Sequence, residues 1–323
     1  MTPPLVSVVI TTRNRRTLLA ETVESVAQQQ GLTWEMVIVD DASDDGTPSY
    51  LRNIAVDPRI KILTHPVRQE RSRSRNNGLA VATGKAVMFL DDDDVLLPGC
   101  LKRLHDAVAS DPRAVASCGA RVDWRASMGT RGRTKDSHTW FRATRDILPE
   151  LVFGWSAVSG QNLFLTEAAR STPGFRVDLN ATEDRLFWME VARQGPVVLI
   201  PDSVMLYRLH ENQQRPANLQ QLRNRVYRLG MHMARGDDRR GLVRVRAASR
   251  RIGVAESALQ QRRFIRALGL ILGALWICPA RTTISPLIFP WVVRRLARGV
   301  RQGLQDLARK VAAIRSRRIG VAG

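Results

Sequence analysis

The chain has 323 residues, more than one average domain needs, which predicts a full hydrophobic core and a second module. Hydrophobic residues make up 44% of it and charged residues 25%, a composition that excludes an intrinsically disordered chain. Its three cysteines are widely spaced and form no CxxC pair, so neither a disulfide framework nor a zinc site is indicated. The apolar run from Leu5 to Ile10 is too short for a signal peptide, so we expect the N-terminal module to stay in a reducing cytosol.

The net charge of +20 is divided unevenly along the chain. Residues 1–215 hold 27 basic and 26 acidic residues, whereas residues 216–323 hold 23 basic and 4 acidic residues. A strongly basic segment is typical of proteins that bind nucleic acid or an anionic membrane surface. The sequence therefore predicts a near-neutral domain at 1–215 and a basic C-terminal region at 216–323.

Short apolar runs alternate with amphipathic segments in the near-neutral domain. Strands are predicted at residues 5–10, 36–39, 60–63 and 86–90. Helices are predicted from Thr17, as the cap, to Val26, then after the second strand, and over residues 76–83. The strands are β-branched and nearly continuous, which is typical of a sheet buried on both faces. The order predicts an α/β fold with a doubly wound, mostly parallel sheet.

Acidic residues directly follow two of these strands. Asp40 and Asp41 end the second strand, and Asp91-Asp92-Asp93-Asp94 follows the fourth. Sheets of this class bind ligands at the carboxyl ends of their strands. Asp40 and Asp41 can accept hydrogen bonds from a base or a ribose, and the alternative is an Asx turn. Neither GxGxxG after the first strand nor GxxxxGK[ST] anywhere is present, which argues against dinucleotide and P-loop sites.

Four consecutive aspartates repel one another, and a divalent cation would compensate their charge. Mg²⁺ and Mn²⁺ prefer hard oxygen ligands and commonly link carboxylates to phosphate oxygens. The spacing of Asp91 and Asp93 can aim two carboxylates at one ion, directly or through water. The alternative is a solvated acidic turn in which an aspartate such as Asp94 caps a helix that begins near Leu97.

Four sequence blocks in fixed order carry a family resemblance. They are Val6–Arg15, Val39–Thr47, Arg75–Gly84 and Phe89–Asp94. Together they resemble the successive blocks of the family 2 nucleotide-sugar glycosyltransferases, and the resemblance covers roughly residues 5–215. It implies a GT-A fold, inverting transfer of a sugar from a nucleotide diphosphate donor, commonly a UDP-sugar, and Mn²⁺ or Mg²⁺ as cofactor.

The resemblance also implies roles for individual residues. Thr11 and Arg13 would line the nucleotide pocket, Asp40 would hydrogen-bond the base, and Asp91 and Asp93 would hold the metal. The other residues expected to bind the nucleotide-sugar are Asp41, Asp92, Arg71 and Arg75. An arginine of the Arg71 to Arg75 stretch would contact the diphosphate, and the alternative is a solvated basic loop.

Inversion requires a base that takes the proton of the attacking hydroxyl. The segment from Gly174 to Phe187 is similar to the family block that carries this base, with Asp184 in the base position and Glu183 beside it. An independent interpretation is that Thr182 and Glu183 begin a helix, with the acid near its positive end. The two interpretations are compatible.

The late Tyr207-Arg208-Leu209-His210 segment resembles the family's Tyr-Arg-x-His. By resemblance, His210 would approach the metal or the leaving diphosphate. The alternative is a surface histidine at a strand end. The Gln-x-x-Arg-Trp motif of processive relatives has no counterpart at Gln213, which favours single transfers.

The basic region contains two apolar runs, 267–280 and 284–293, separated by Arg281. Each is shorter than the roughly 20 residues of a spanning helix. We expect 264–293 to form a re-entrant or interfacial hairpin, with the arginines on both sides at the anionic cytoplasmic face of the cell membrane. The protein would then be peripheral or monotopic. The alternative is a helical pair packed on protein.

These observations predict a metal-dependent inverting glycosyltransferase that acts on a glycan or lipid-linked acceptor in cell-surface polysaccharide or glycolipid synthesis. The alternative is a basic nucleic-acid-binding protein. That class predicts aromatic residues interleaved with basic ones on a binding face, whereas the aromatic residues of the basic region lie mainly in its apolar runs. We therefore expect no nucleic-acid partner. A binding module without catalysis is disfavoured by the presence of Asp91, Asp93 and Asp184.

Overall fold

The chain divides into two compact units, Met1–Met233 and Ala234–Gly323. A computed structural model describes residues 4–125, 130–135, 143–153, 157–179, 181–209 and 217–233, with isolated positions between 258 and 273. The predicted boundary after Arg215 rested on charge, whereas compactness divides the chain after Met233. The reason is that the helix Leu219–Met233, although basic, contacts two helices of the first unit.

The first unit contains eighteen elements within its described residues. In chain order these are β1 Val6–Thr12, α1 Arg16–Ala27, β2 Trp34–Asp40, α2 Thr47–Ile54, β3 Ile60–Thr64, α3 Glu70–Val81, β4 Ala86–Asp91, β5 Val95–Leu96, α4 Cys100–Ala109, β6 Ala116–Arg125, β7 Thr130–Lys135, β8 Ala143–Arg145, α5 Leu148–Phe153, β9 Asn162–Leu165, α6 Thr166–Arg170, α7 Glu183–Ala192, β10 Val197–Arg208 and α8 Leu219–Met233. The chain is thus of the α/β class.

The strands form one mixed sheet in the order β3-β2-β1-β4-β9-β6-β10-β5, with β7 on β6 and β8 on β10. Strands β1 to β4 are parallel, and this half has the predicted doubly wound arrangement. Strand β9 runs antiparallel to both β4 and β6, and β5 runs antiparallel to β10. Three neighbouring strands, β2, β1 and β4, therefore end side by side at one edge.

The central strands are buried on both faces, which explains their nearly continuous apolar sequence. In β1, both Val8 and Val9 are buried although they point to opposite faces. Helix α3 packs closely on this strand, because a Cβ added at Gly78 would collide with Val9 Cγ1. Helix α3 therefore packs on β1 and β2 of the sheet.

Two predicted helix starts are wrong. Helix α1 begins at Arg16, so Thr17 lies inside it and is not its cap. Helix α3 begins at Glu70, well before the predicted start at Asn76. Its first half carries no apolar stripe in the sequence, since its buried residues there are Ser72, Ser74 and Arg75. The arginine stretch is therefore helical, and the alternative of a solvated basic loop is wrong.

Several predictions fall on residues outside the described set. These are the role of His210 and the apolar segment at 264–293, of which only isolated positions are described. Among the residues that the structure does describe, no helix has both the length and the apolar character needed to cross a membrane.

Candidate active site

A cleft of about 930 Å³ opens at the carboxyl ends of β1 and β4. The pairing of the strands brings the carboxyl ends of β2, β1 and β4 together. Thr11 of β1 pairs with Val39 of β2 on one side and with Asp91 of β4 on the other. The predicted site residues that line the cleft are Thr11, Arg13, Asp41, Arg71, Arg75, Asp91, Asp92, Asp93 and Asp184.

Other residues line the same cleft without having been predicted as site residues. They include Arg15, Arg68, Ser159, Tyr207 and Arg208. Arg15 lies within the first family block, and Tyr207 and Arg208 lie within the late Tyr-Arg-x-His segment, so those blocks already pointed to them. Nothing in the sequence around Arg68 or Ser159 indicated a place in the site.

The four consecutive aspartates have two different environments. Asp91, Asp92 and Asp93 line the cleft, whereas Asp94 is fully buried. Asp91 and Asp93 line the cleft and are paired with arginines, Asp91 with Arg75 at 2.6 Å and Asp93 with Arg15 at 2.7 Å. Burial opposes ionisation of Asp91, but the positive charges of Arg75 and Arg71 outweigh it and lower the pKa of Asp91. Burial raises the pKa of Asp92 to about 6, although Arg15 also lies 3.2 Å from that carboxylate.

Asp94 is directed into the protein. It is fully buried and accepts a hydrogen bond from the backbone N–H of Arg208 at 3.0 Å. Burial, with the negative charges of Asp91 and Asp93, raises the pKa of Asp94 well above its usual range. Helix α4 begins at Cys100, so Asp94 does not cap a helix near Leu97.

Asp40 and Asp41 also have different environments. Asp40 is fully buried and accepts a hydrogen bond from Ser43 N–H, three residues further along the chain, at 3.1 Å. Its other carboxylate oxygen is buried without a hydrogen-bond partner in the described part of the chain. Asp41, in contrast, lines the cleft.

A histidine holds Asp41 in place. His65 Nδ1 donates to Asp41 at 2.9 Å, and the N–H groups of Gln69 and Glu70 donate to the same carboxylate at 2.7 and 3.0 Å. Asn77 Nδ2 lies 2.9 Å from His65 Nε2. Burial favours the neutral form of Asp41, but these hydrogen bonds outweigh it and lower its pKa. The sequence did not point to His65, since its partners lie far apart along the chain.

The structure distinguishes the two predicted arginines of α3. The Arg71 side chain is 62% exposed at the cleft and lies 3.6 Å from Glu183. The Arg75 side chain is only 3% exposed and pairs with Glu183 at 3.0 Å and with Asp91 at 2.6 Å. Arg71 is therefore the more accessible of the two to a ligand in the cleft.

The predicted acidic pair begins helix α7, with Thr182 as N-cap. This agrees with the interpretation of Thr182 and Glu183 as a helix start. Glu183 is buried against Arg75, whereas Asp184 lines the cleft. Burial and the negative charge of Glu183 raise the pKa of Asp184 to about 6. A carboxyl group with this pKa can be ionised at neutral pH and can still accept a proton.

Helix α7 is anchored beneath the cleft. The guanidinium of Arg185 donates to the carbonyl oxygens of Leu151 at 2.6 Å and Val152 at 2.7 Å, which joins α7 to α5. Phe187 stacks on Phe175 with ring centroids 4.2 Å apart. These contacts fix the first turn of α7, and Asp184 with it.

The sequence model of glycosyl transferase family 2 matches residues 7–162. This segment, residues 7–162, is a family 2 glycosyltransferase domain. The matched segment contains β1 to β4 and therefore the two strand ends that bear the acidic clusters. The resemblance of the four sequence blocks is confirmed.

Similar proteins extend the comparison beyond this segment. An uncharacterized glycosyltransferase of Haemophilus influenzae is 26% identical over 224 residues, 65% of this chain and 67% of that protein. The GalNAc(5)-diNAcBac-PP-undecaprenol beta-1,3-glucosyltransferase of Campylobacter jejuni is 41% identical over 103 residues, but these cover only 31% of this chain and 33% of that protein.

The fold is also similar to that of a solved structure. S. aureus TarS residues 1–349, determined in complex with UDP-GlcNAc, superposes with a TM-score of 0.63 over 94% of this chain and 92% of TarS at 18% identity. This likeness supports the GT-A fold of the glycosyltransferase domain.

The carboxylates of the domain are compatible with a divalent cation bound together with a diphosphate. The described residues include no group of three or more His, Cys, Asp or Glu side chains placed to hold a metal. Mg²⁺ is usually held by one or two carboxylates, with substrate phosphates and water as its other ligands. Asp91 and Asp93, which both line the cleft, offer this number of carboxylates.

Proposed function

We propose that the chain is an inverting glycosyltransferase that transfers a sugar from a nucleotide diphosphate donor, a UDP-sugar in the first instance, to a glycan or lipid-linked acceptor in cell-surface polysaccharide or glycolipid synthesis. The observation that carries the proposal is that Asp184 lines the same cleft as Asp91 and Asp93. A base and a diphosphate-binding pair would thus act on one substrate. The name of the Campylobacter relative, which gives a lipid-linked glycan as its substrate, supports the acceptor class.

In this proposal, Asp184 is the general base. Its carboxylate takes the proton of the acceptor hydroxyl while the hydroxyl oxygen forms a bond to the anomeric carbon. The bond from that carbon to the diphosphate breaks, and the electron pair leaves with the nucleoside diphosphate. Glu183 does not contact the acceptor, because it is buried against Arg75.

On the donor side, Asp91 and Asp93 would hold Mn²⁺ or Mg²⁺. When bound, the ion neutralises charge on the leaving diphosphate. The exposed guanidinium of Arg71 adds positive charge on the same side of the cleft. Thr11, Arg13 and Asp41 would bind the nucleotide. Asp40, which is fully buried and is not among the residues that line the cleft, is left out of the proposed contacts with the nucleobase. Asp92 and His210 stay candidates for further donor and metal contacts.

We also propose that the basic region at 216–323 holds the protein at the anionic cytoplasmic face of the cell membrane. The charge count and the arginines that flank 264–293 support this proposal. Sedimentation of the full chain with vesicles containing anionic lipid tests it. We expect binding that falls as salt rises, whereas no binding at low salt would contradict it.

The experiment for the catalytic proposal measures nucleoside diphosphate release from UDP-, GDP- and dTDP-sugars, with Mn²⁺, Mg²⁺ or EDTA. We expect UDP to be released from a UDP-sugar. This release should require the metal and should be lost in Asp93→Asn. Asp106→Asn is the matched control, because Asp106 is an exposed aspartate on α4 whose ion pair is with Lys102. Metal-independent release would contradict the role of Asp93, and tight nucleic-acid binding without any release would favour the alternative function.

A further inference from the structure

Arg75 lies between the donor side and the acceptor side of the cleft. One terminal nitrogen of its guanidinium donates to Glu183 at 3.0 Å. The other donates to Asp91 at 2.6 Å and to Ser159 Oγ at 3.2 Å. The guanidinium carbon is 5.3 Å from the centroid of the Phe175 ring. A single side chain thus connects β4, the start of α7 and the segment before β9.

The burial of Arg75 makes these contacts strong. Its side chain is 3% exposed and that of Glu183 is 4% exposed. Loss of a charged partner in a buried site is destabilising, so removal of either residue weakens the neutralisation of the other. Without Arg75, the positive charge next to Glu183 would be that of the exposed Arg71, 3.6 Å away.

The helix that carries Arg75 is also attached to the segment before α7. Asn76 Nδ2 donates to the carbonyl of Phe175 at 2.9 Å, and the N–H of Phe175 donates to Asn76 Oδ1 at 2.8 Å. The close approach of Gly78 to Val9 fixes the same helix on the sheet. The position of Arg75 is therefore set by the fold on both sides of the cleft.

We propose that Arg75 is a positioning residue that holds Asp91 and the Glu183–Asp184 pair at a fixed separation, so that the base faces the sugar bound at the donor side. This inference rests on the proposed function. Both terminal nitrogens of its guanidinium are engaged by protein oxygens, so Arg75 acts through these carboxylates. Diphosphate contact belongs to the exposed Arg71.

Two substitutions separate positioning from ligand binding. Arg75→Lys keeps the charge, but an ammonium group cannot reproduce the planar two-sided contact of a guanidinium. Arg75→Met removes the charge at similar length. We expect Arg75→Met to lower kcat by about 100-fold, the scale of loss that a misplacement near 1 Å causes. We expect the Kd of UDP, measured by calorimetry in EDTA so that Asp91 does not enter through a metal ion, to stay unchanged in both variants.

Arg71→Met is the matched comparison, because Arg71 lies one turn earlier on α3 and faces the same Glu183. We expect it to raise the Kd of UDP by about tenfold, as the loss of one charge-assisted contact to a phosphate does. An equal rise in the Kd of UDP for Arg75→Met would overturn the proposal and make Arg75 a diphosphate ligand.

A double-mutant cycle with Glu183→Gln tests the coupling itself. We expect Arg75→Met/Glu183→Gln to lose no more kcat than Arg75→Met alone, because the two residues act as one unit. Additive losses would overturn the proposal.

The same cycle measured by urea unfolding needs no substrate, and strong coupling between Arg75 and Glu183 is expected there. If the wild type shows no nucleotide-sugar turnover, the proposed function fails. The unfolding cycle then still tests whether Arg75 and Glu183 are coupled. Absence of coupling in that cycle overturns the proposed link between Arg75 and Glu183.

Discussion

Glu183 and Asp184 are neighbours on the first turn of α7, yet their carboxylates have opposite surroundings. Glu183 is buried and pairs with Arg75 at 3.0 Å, whereas Asp184 lines the cleft. Because the two charges are close, the negative charge of Glu183 contributes to the raised pKa of Asp184. The acidic pair therefore combines a carboxyl group on the cleft with a buried carboxylate whose charge raises the pKa of its neighbour.

The first prediction concerns the pH dependence of turnover. Burial and Glu183 raise the pKa of Asp184 to about 6, and the base must be ionised to take a proton. Turnover should therefore be low below pH 6 and should rise as the pH increases through this value. The measurement is kcat for nucleoside diphosphate release between about pH 5 and pH 8.

Glu183→Gln is the control for this assignment. Because it removes the negative charge that raises the pKa of Asp184, the rise in kcat should move to lower pH, even though kcat itself falls. An unchanged midpoint in Glu183→Gln would show that another group titrates.

The second prediction concerns His65. Its hydrogen bond to Asp41 helps to keep that carboxylate ionised and oriented at the cleft. His65→Phe should raise the pKa of Asp41 and weaken UDP binding by about tenfold, the scale of one hydrogen bond to a charged group. Calorimetry with UDP measures this. His105→Phe, on α4 outside the cleft, should leave the Kd of UDP unaltered, and equal effects of the two variants would contradict the role of His65.

The third prediction concerns the docking of α3. Gly78→Ala places a Cβ against Val9 Cγ1. Overpacking of this kind costs about 1–3 kcal/mol, which exceeds the gain of about 1 kcal/mol in helix propensity. Urea unfolding should show net destabilisation. Arg73→Ala, at an exposed position of the same helix, should change the free energy of unfolding little; equal stability of Gly78→Ala and wild type would refute the close approach.

The fourth prediction concerns Glu35, a buried carboxylate within β2. It accepts hydrogen bonds from Ser7 Oγ and Thr83 N–H and pairs with Lys61 at 2.7 Å. Burial opposes ionisation, but these partners lower its pKa to about 2. The resulting stabilisation is fully present above the unfolded pKa and is lost as the pH falls towards 2.

Unfolding of wild type and Glu35→Gln as a function of pH measures this contribution. A shift of this size corresponds to roughly 3 kcal/mol. The wild type should lose its advantage over Glu35→Gln as the pH falls from 4.5, the usual glutamate value, towards 2. A difference between the two proteins that does not depend on pH would contradict the assignment.

Much of the fold could be predicted from local sequence. The parallel strands β1, β2 and β4 are buried on both faces, so their apolar character is visible without any partner. The start of α3 could not be predicted in this way, because the buried face of its first half is formed by Ser72, Ser74 and Arg75. Only the fold supplies the carboxylates that neutralise Arg75.

The candidate site shows the same distinction. Asp91, Asp93 and Asp184 belong to blocks that are recognisable in sequence, and the structure places all three on one cleft. The contact of His65 with Asp41 joins residues from the ends of neighbouring strands, and that of Arg75 with Glu183 joins helices far apart in sequence. Composition and spacing carry no signal for such pairs.

The central claim is that Asp184 is the base of a nucleotide-sugar transferase. Its most direct test is Asp184→Asn, with Glu190→Gln on the same helix as control, measured for UDP-sugar turnover and for UDP binding with Mn²⁺. We expect kcat to fall by about 10²- to 10⁴-fold, because proton removal is lost, while the Kd of UDP is retained. Turnover by Asp184→Asn at the wild-type rate would contradict the account.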